Sequence, residues 1–293
     1  MRLILGDCLE KMKELPDKSV DCFVCDLPYG CLTGGAGKEK AKRIANVSNR
    51  YRKACPPTER GERVLKDGTI APAGILGGCA WDIKLNLDLF WEQVKRLAKD
   101  DHTPVLMFCN ARFGFELYNS NPSWFRYDIV WSKPTGVGFL CANKQPLRSH
   151  ELIYVFAKKG AYYKRVDIEG DFKGSANGSG NIGTGTTYSQ DDDRRTNPIL
   201  RVPIAEGKRC VKSVVEIANK KGKGKHPTQK PAELYEWILK RYCPEKGCML
   251  DPTAGSFTSV FVADKMGLNA IGIEKNEAFY NKANETFLLS SRI

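Results

Sequence analysis

Nowhere in this 293-residue chain is there a run of the roughly eighteen apolar residues that a membrane-crossing helix needs. The first stretch, MRLILGDCLEKMKELPD, meets acids at Asp7 and Glu10 before a long apolar core can form. It is therefore not expected to be a signal peptide, and a cytoplasmic protein is expected. Neither G-x-G-x-x-G nor G-x-x-x-x-G-K-[ST] is present, so the usual dinucleotide and P-loop fingerprints are missing. No internal repeat is visible. The eleven cysteines are odd in number and scattered, and the single C-x2-C, Cys22 with Cys25, lies inside an apparent strand without a second pair. Buried free thiols in a reducing compartment are expected, rather than a zinc or redox site.

What is present is an ordinary globular composition, 42% hydrophobic and 27% charged, with a formal net charge of +12. Such an excess points to a polyanionic partner, because each Lys or Arg set on a phosphate releases condensed counterions. The charge is concentrated. Residues 31–80 hold ten Lys/Arg against four Asp/Glu, residues 157–230 hold sixteen against eight, and the remainder is slightly acidic.

Short apolar strands alternate with helical patterns of about ten residues. Strands are predicted at MRLIL, SVDCFVCD, TPVLMFCN, FRYDIVWS, ELIYVFAK, CMLD and NAIGIE. Helices are predicted at CLEKMKELP, LDLFWEQVKRLAK, from Arg112 to Tyr118, AELYEWILKRYC, from Ser256 to Met266 and from Asn276 to Leu289. This rhythm implies an α/β fold, a mostly parallel sheet with helices on both faces. Two segments interrupt it: the basic, loop-like 31–79, and the Gly-rich, polar 160–225 with GSANGSGNIGTG and DDDRR. Stretches of that length are either functional or solvated linkers.

Three turns carry chemistry. In SVDCFVCDLPYG a strand ends by presenting Asp26 beside Tyr29 on a turn stiffened by Pro28. In MLDPTAGSFTS a strand ends at Asp251, Gly255 allows close backbone approach, and a helix opens near Ser256 with unpaired N–H groups. Asp251 can receive an ammonium group there. Glu274 closes the next strand, where an acid commonly holds ribose hydroxyls. Together they describe a nucleoside carrying an amino acid, which fits S-adenosylmethionine better than NAD.

DLPYG after a strand, HPTQKP at 226–231 and DPTAGS at 251–256 resemble the amino-methyltransferases of DNA. Their order is that of the β class, in which the catalytic motif precedes the cofactor motif. The match extends to GDCLEKMKELPDKSVD, VWSKP and SHELIYVFAKKG, and covers most of the chain outside the two basic segments. The resemblance implies a Rossmann-like class I methyltransferase fold of seven strands, with circularly permuted motif order and a target-recognition insert. It implies catalytic-half residues 1–159 with the basic loop 31–79, an insert at 160–225 and a cofactor-binding half at 226–293.

By the same resemblance, Asp26 and the Leu27 carbonyl accept the exocyclic amine of a flipped base, Pro28 aims that carbonyl, and Tyr29 stacks on the base. Asp7 takes the cofactor's adenine amine with Cys8 contributing backbone, and Glu274 takes the ribose. Asp26, Asp251, Thr253, Gly255, Ser256, His226, Thr228 and Lys230 border the methionine end. S-adenosylhomocysteine is the implied product, and no metal is required. Glutamine-modifying relatives place N-P-P-Y after the glycine motif, whereas Asp26 comes long before Asp251. Asp in first place is typical of adenine-N6 enzymes and Ser of cytosine-N4 enzymes. The expected activity is therefore adenine N6 methylation of double-stranded DNA. Cytosine N4 methylation, or a DNA-binding module with a weakened site, are the alternatives.

Leu27 stands where the family has its first proline, which relaxes the turn but spares the carbonyl. Phe257 stands at a glycine position, so its ring must point away from the cofactor, and Thr253 replaces a phenylalanine. DNA contacts are expected from Lys38, Lys40, Lys42 and Arg43 in the first basic segment. The second segment offers Arg165, Arg194, Arg195, Asn197 and Arg201. The class also brings a cognate restriction endonuclease and a homodimer as partners, and no membrane.

Overall fold

The computed structural model describes residues 1–29, 63–64, 70–71, 84–170, 207–219 and 229–290. In chain order these form β1 (Arg2–Leu5), α1 (Cys8–Lys13), β2 (Cys22–Cys25), β3 (Arg63–Val64), β4 (Ile70–Ala71), α2 (Leu87–Leu97), β5 (Val105–Cys109) and α3 (Ala111–Ser120). There follow β6 (Phe125–Val137), a 3-10 turn (Phe139–Cys141), β7 (Arg148–Phe156), β8 (Ile168–Glu169), β9 (Lys208–Arg209) and β10 (Val214–Glu216). The chain closes with α4 (Ala232–Tyr242), β11 (Cys248–Asp251), α5 (Thr258–Lys265), β12 (Asn269–Glu274) and α6 (Glu277–Ser290).

Two compact units result: Met1–Asp26 with Leu87–Ile293, and Leu27–Asn86. The described part of the second unit contains an antiparallel ribbon in which Arg63 pairs with Ala71 and Val64 with Ile70. The first unit is built on an eight-stranded sheet ordered β1-β12-β11-β2-β5-β7-β6-β10. Strands β1, β12, β11, β2 and β5 run parallel, β7 is antiparallel to both β5 and β6, and β10 is parallel to β6. The predicted mostly parallel α/β sheet is therefore present.

Its central strands are apolar end to end because both faces are covered. CFVC of β2 and VLMFC of β5 are buried at every position. The strand beyond the seven expected is β10, an edge strand on β6 with only Val215 turned inward. Three residues in a polar setting carry too little alternation to announce a strand.

The connection β11–α5–β12 steps toward the β1 edge, and β2 to β5 steps toward the β10 edge. Crossovers of one hand that step in opposite directions place their helices on opposite faces. The helices accordingly pack in separate groups, α1 with α2 and α2 with α3, and α4 with α5, while α6 lies on β1 and β12. The reversal falls between β11 and β2, the position at which open α/β sheets bind ligands beyond their strand ends.

Large side chains fill the interior around this sheet. Phe23, Phe90, Phe108, Trp131 and Phe156 are fully buried, and Trp91 meets Phe90, Trp124 and Phe156 edge to face. Each such burial contributes about 1.5–3 kcal/mol. Arg96 of α2 donates to the Met12 and Leu15 carbonyls and pairs with Asp17, which fixes the end of α1 against α2.

Candidate active site

Register places four acids in a row along the carboxyl edge. Leu5 of β1 pairs with Glu274 of β12, Asp251 of β11 with Gly272, and Leu250 with Phe23 of β2, so Asp7, Glu274, Asp251 and Asp26 come from four adjacent strands. Three strand spacings separate the outer two, about 14 Å.

Each acid has a local reason for its position. Asp7 is the N-cap of α1, accepting from Leu9 N at 2.9 Å. It is exposed, while Cys8 behind it is buried and its thiol is pushed up to about 12 by desolvation. Glu274 accepts from Gly255 N at 2.8 Å and Asn276 N at 2.7 Å, one bond to each oxygen. Its side chain thereby ties the glycine turn to the end of β12, and burial raises its carboxyl above the usual range.

Asp251 is 2% exposed and braces its own turn, accepting from Thr253 N at 3.1 Å and from Ser259 Oγ. A ligand ammonium would have to reach an almost enclosed carboxylate. Burial pushes this carboxyl up to about 7, with Asp26 and Glu274 adding to the rise against the opposing hydrogen bonds. The Thr253 hydroxyl beside it is buried and makes no hydrogen bond among the described residues. An orphaned donor there fits a turn built for a polar ligand.

A folded pKa of about 7 against an ordinary 3.8 means that the folded protein holds this proton more tightly than the unfolded chain. Stability from Asp251 is thus full below the unfolded value and is lost as pH rises through the folded one. Asp251→Asn, neutral at every pH, should gain on the wild type by about 1.4 kcal/mol per pH unit between pH 5 and 7, then hold level. Urea unfolding of both proteins from pH 5 to 8 measures this. A constant difference across the range would exclude a charge penalty at Asp251.

Phe257 takes the left-handed conformation, φ 56°, at the N-cap of α5. That backbone costs a non-glycine residue about 1–3 kcal/mol. The ring is fully buried, lies edge-on to Tyr280 at 6.3 Å and occupies the space above Gly272, where an added Cβ would come within 2.8 Å of Phe257 Cδ1. It packs beneath the turn, between α5 and β12, and its burial offsets the strain.

Asp26 follows β2, and its carboxylate belongs to a chain of four charges. Lys230 Nζ lies 2.7 Å from Asp26 Oδ2 and 3.3 Å from Glu151 Oε2, and 5.1 Å above the Phe108 ring. Lys133 pairs with the other Glu151 oxygen and rests over the Trp131 ring at 4.4 Å. Lys230 is 6% exposed. Burial pulls its pKa down, but Asp26 and Glu151 more than offset that and hold it above its ordinary value. Burial likewise pushes Glu151 up, and Lys230 with Lys133 brings it below the usual range. Two cations and two anions balance.

Sequence reading missed Glu151 and Lys133. They are eighteen residues apart and meet because β6 and β7 pair antiparallel, with Trp131 opposite Glu151. It also missed Gln229 and Thr258: Gln229 Nε2 donates to Thr258 Oγ1 at 2.8 Å, and Ser256 Oγ lies 3.0 Å from the same hydroxyl. Gln229 is thus fastened to Thr258 at the start of α5, and Lys230 to Asp26.

Leu27, Pro28 and Tyr29 open the second unit, Leu27 buried and the other two partly exposed. Arg165 is held by Asp167 through two bonds of 2.8 Å, so contact with DNA would require exchanging that partner. His226, Thr228, Lys38, Lys40, Lys42, Arg43, Arg194, Arg195, Asn197 and Arg201 lie outside the described residues.

Known proteins resemble this chain over nearly its whole length. The chain is 21% identical over 286 residues to the type II methyltransferase M.HinfI of Haemophilus influenzae, covering 97% of this chain and 67% of that protein. It is 25% identical over 308 residues to the type II methyltransferase M.SmaI of Serratia marcescens, covering 98% and 90%. Among solved structures, the M1.HpyAVI–SAM complex matches with a TM-score of 0.52 at 15% identity, covering 98% of both chains. The cytosine-N4-specific PvuII DNA methyltransferase matches with a TM-score of 0.57 at 13% identity, covering 97% and 85%. These structural likenesses show a shared fold. The N6/N4 methyltransferase family, described as DNA methylase, matches residues 85–285, more than half of the chain, and to that family of DNA amino-methyltransferases this protein belongs.

Proposed function

We propose that the protein transfers a methyl group from S-adenosylmethionine to the N6 amine of an adenine swung out of double-stranded DNA. The observation that carries this reading is the row Asp7–Glu274–Asp251–Asp26, ending at the carboxylate that Lys230 holds. A row of about 14 Å suits an extended nucleoside with an amino acid tail. Asp7 and Cys8 would meet the adenine, Glu274 the ribose, and Asp251, Thr253, Gly255 and Ser256 the methionine end. The unpaired Thr253 hydroxyl supports a polar ligand at that end. One relative in fold is a complex with SAM, which supports the same cofactor here.

When bound, S-adenosylmethionine would supply an electrophilic sulfonium methyl, with S-adenosylhomocysteine as the product. Asp26 accepts one amine hydrogen and the Leu27 carbonyl the other, which draws the nitrogen toward tetrahedral geometry and frees its lone pair. The C–N bond would form as the C–S bond breaks, and the proton then lost from the nitrogen would pass to solvent, directly or by way of the Asp26 carboxylate. Pro28 fixes the carbonyl's direction, and Tyr29 stacks on the base. Positioning and a fixed charge do this work, without a covalent enzyme intermediate.

Asp rather than Ser at position 26 favours adenine. The fold shared with a cytosine-N4-specific enzyme supports a second reading, N4 methylation of cytosine. The same reading places the protein in a bacterial cytoplasm, and the relatives' type II naming is compatible with a cognate endonuclease and a second copy as partners. Among the described residues no helix is long and apolar enough to cross a membrane. DNA incubated with methyl-labelled S-adenosylmethionine, then digested to nucleosides, decides the base. Label in N6-methyldeoxyadenosine is expected. Label in N4-methyldeoxycytidine would establish the second reading, and unlabelled DNA would overturn both.

A further inference from the structure

Antiparallel β7 begins where parallel β5 ends: Cys109 lies opposite Leu152, and Arg148 through Glu151 extend beyond it. The connection from β6 to β7 therefore projects from the same edge of the sheet that carries Asp26. Strand β7 lies two strands from β2, about 10 Å across the sheet.

Its tip is apolar and exposed. Phe139 is 80% and Leu140 is 100% exposed, with Val137 and Leu147 partly so. The tip is also a built turn. Gly138 takes φ +94°, Cys141 N donates to Gly138 O at 2.8 Å, and Lys144 N and Gln145 N both donate to Cys141 O. Below it, residues 133–136 form a register shift, where Gly136 is so close to Leu147 that an added Cβ would lie 2.7 Å from its Cβ. A bulge at this position re-aims the end of a strand pair. From Lys133 to His150 there is no acid, while Lys144 and Arg148 are exposed. An apolar pair on a hydrogen-bonded turn, flanked by cations and free of carboxylates, suits a partner with an anionic exterior and a stacked apolar interior.

We propose that this hairpin tip is a DNA wedge, Phe139 and Leu140 entering the duplex beside the target and filling the stack that the extruded base leaves. Apolar side chains inserted at a base step hold it open, and the exposed Lys144 and Arg148 flank them as cations suited to phosphates. This inference rests on the DNA-methylation reading above. It adds to that reading the element that opens the helix.

The test compares wild type with Phe139→Ala/Leu140→Ala on two duplexes carrying a site mapped by sequencing methylated DNA. One is fully paired, and the other has a mismatch opposite the target base. The variant should lose about ten- to a hundredfold in kcat/KM on the paired duplex and come within about threefold of wild type on the mismatched one, where unstacking is already cheap. S-adenosylmethionine affinity should not change. Equal loss on both duplexes, or no loss on either, would overturn the wedge. So would sedimentation showing that the variant turns a wild-type dimer into a monomer and that the loss follows that change, since the tip would then be a contact between copies. Anisotropy binding to paired and mismatched duplexes makes the same comparison without chemistry. A protein that bound DNA but transferred no methyl would thus fail the functional reading and still decide the wedge.

Discussion

Asp26→Ala should reduce methyl transfer at least a hundredfold while cofactor affinity stays within a few-fold of wild type. The carboxylate's postulated partner is the amine of the base, and a hydrogen bond to a charged group is worth roughly 1.5–3 kcal/mol, about ten- to a hundredfold in rate. Further loss comes from Lys230, which would retain one of its two described carboxylates, Glu151. Asp26→Asn, nearly isosteric, separates these effects. It keeps the shape of the site and removes the charge, so equally low turnover in both variants would assign the loss to the charge. The assay is single-turnover methylation, with calorimetric titration of S-adenosylmethionine in the absence of DNA. Wild-type turnover in Asp26→Ala would remove Asp26 from the reaction, and wild-type turnover in Asp26→Asn alone would show that its charge is dispensable.

The second large effect concerns Lys230. Replacing it with Met leaves Asp26 and Glu151 without the cation they share, in a position that is 6% exposed. Breaking a buried pair by removing one member costs roughly 3–5 kcal/mol, because the other charge stays behind. Denaturant unfolding should show a loss of that size, and activity should fall with it. Adding Glu151→Gln removes one of the abandoned charges and should restore part of the stability. Two separately additive losses would mean that Lys230 and Glu151 are not coupled, and the four-charge chain would be reduced to independent pairs.

Much of this architecture was legible because its strands are short apolar runs that stop at acids. CFVC stops at Asp26, and CMLD and NAIGIE end in Asp251 and Glu274, so each acid marks a strand end in the sequence itself. The common edge follows from parallel pairing. The Lys133–Glu151 contact was hidden because its partners are set by the register of β6 on β7, and that register contains an irregularity between Ser132 and Val137. Strand β10 was hidden by its length. Phe257 could be recognised as a misfit at a glycine position, but nothing local foretold that its ring would lie under the turn, above a glycine fifteen residues later in the chain.

Strand order also has a consequence for how the polypeptide is made. Strand β1 pairs with β12, while β2 lies between β11 and β5, so the two strands synthesised first depend on partners supplied by the last quarter of the chain. At about 5–20 residues per second, a ribosome leaves β1 without its neighbour for many seconds. Through that interval the fully apolar CFVC segment has only β5 to lean on. Lys230, 204 residues beyond Asp26, arrives late as well. A growing chain therefore carries the Asp26 turn long before the lysine that pairs with it, and a nascent fragment lacking the final strands lacks Asp251 and Glu274 as well. The exposed edges of such a fragment favour capture by chaperones or aggregation, so yield on expression should respond to substitutions in β11 and β12 more sharply than their burial alone suggests.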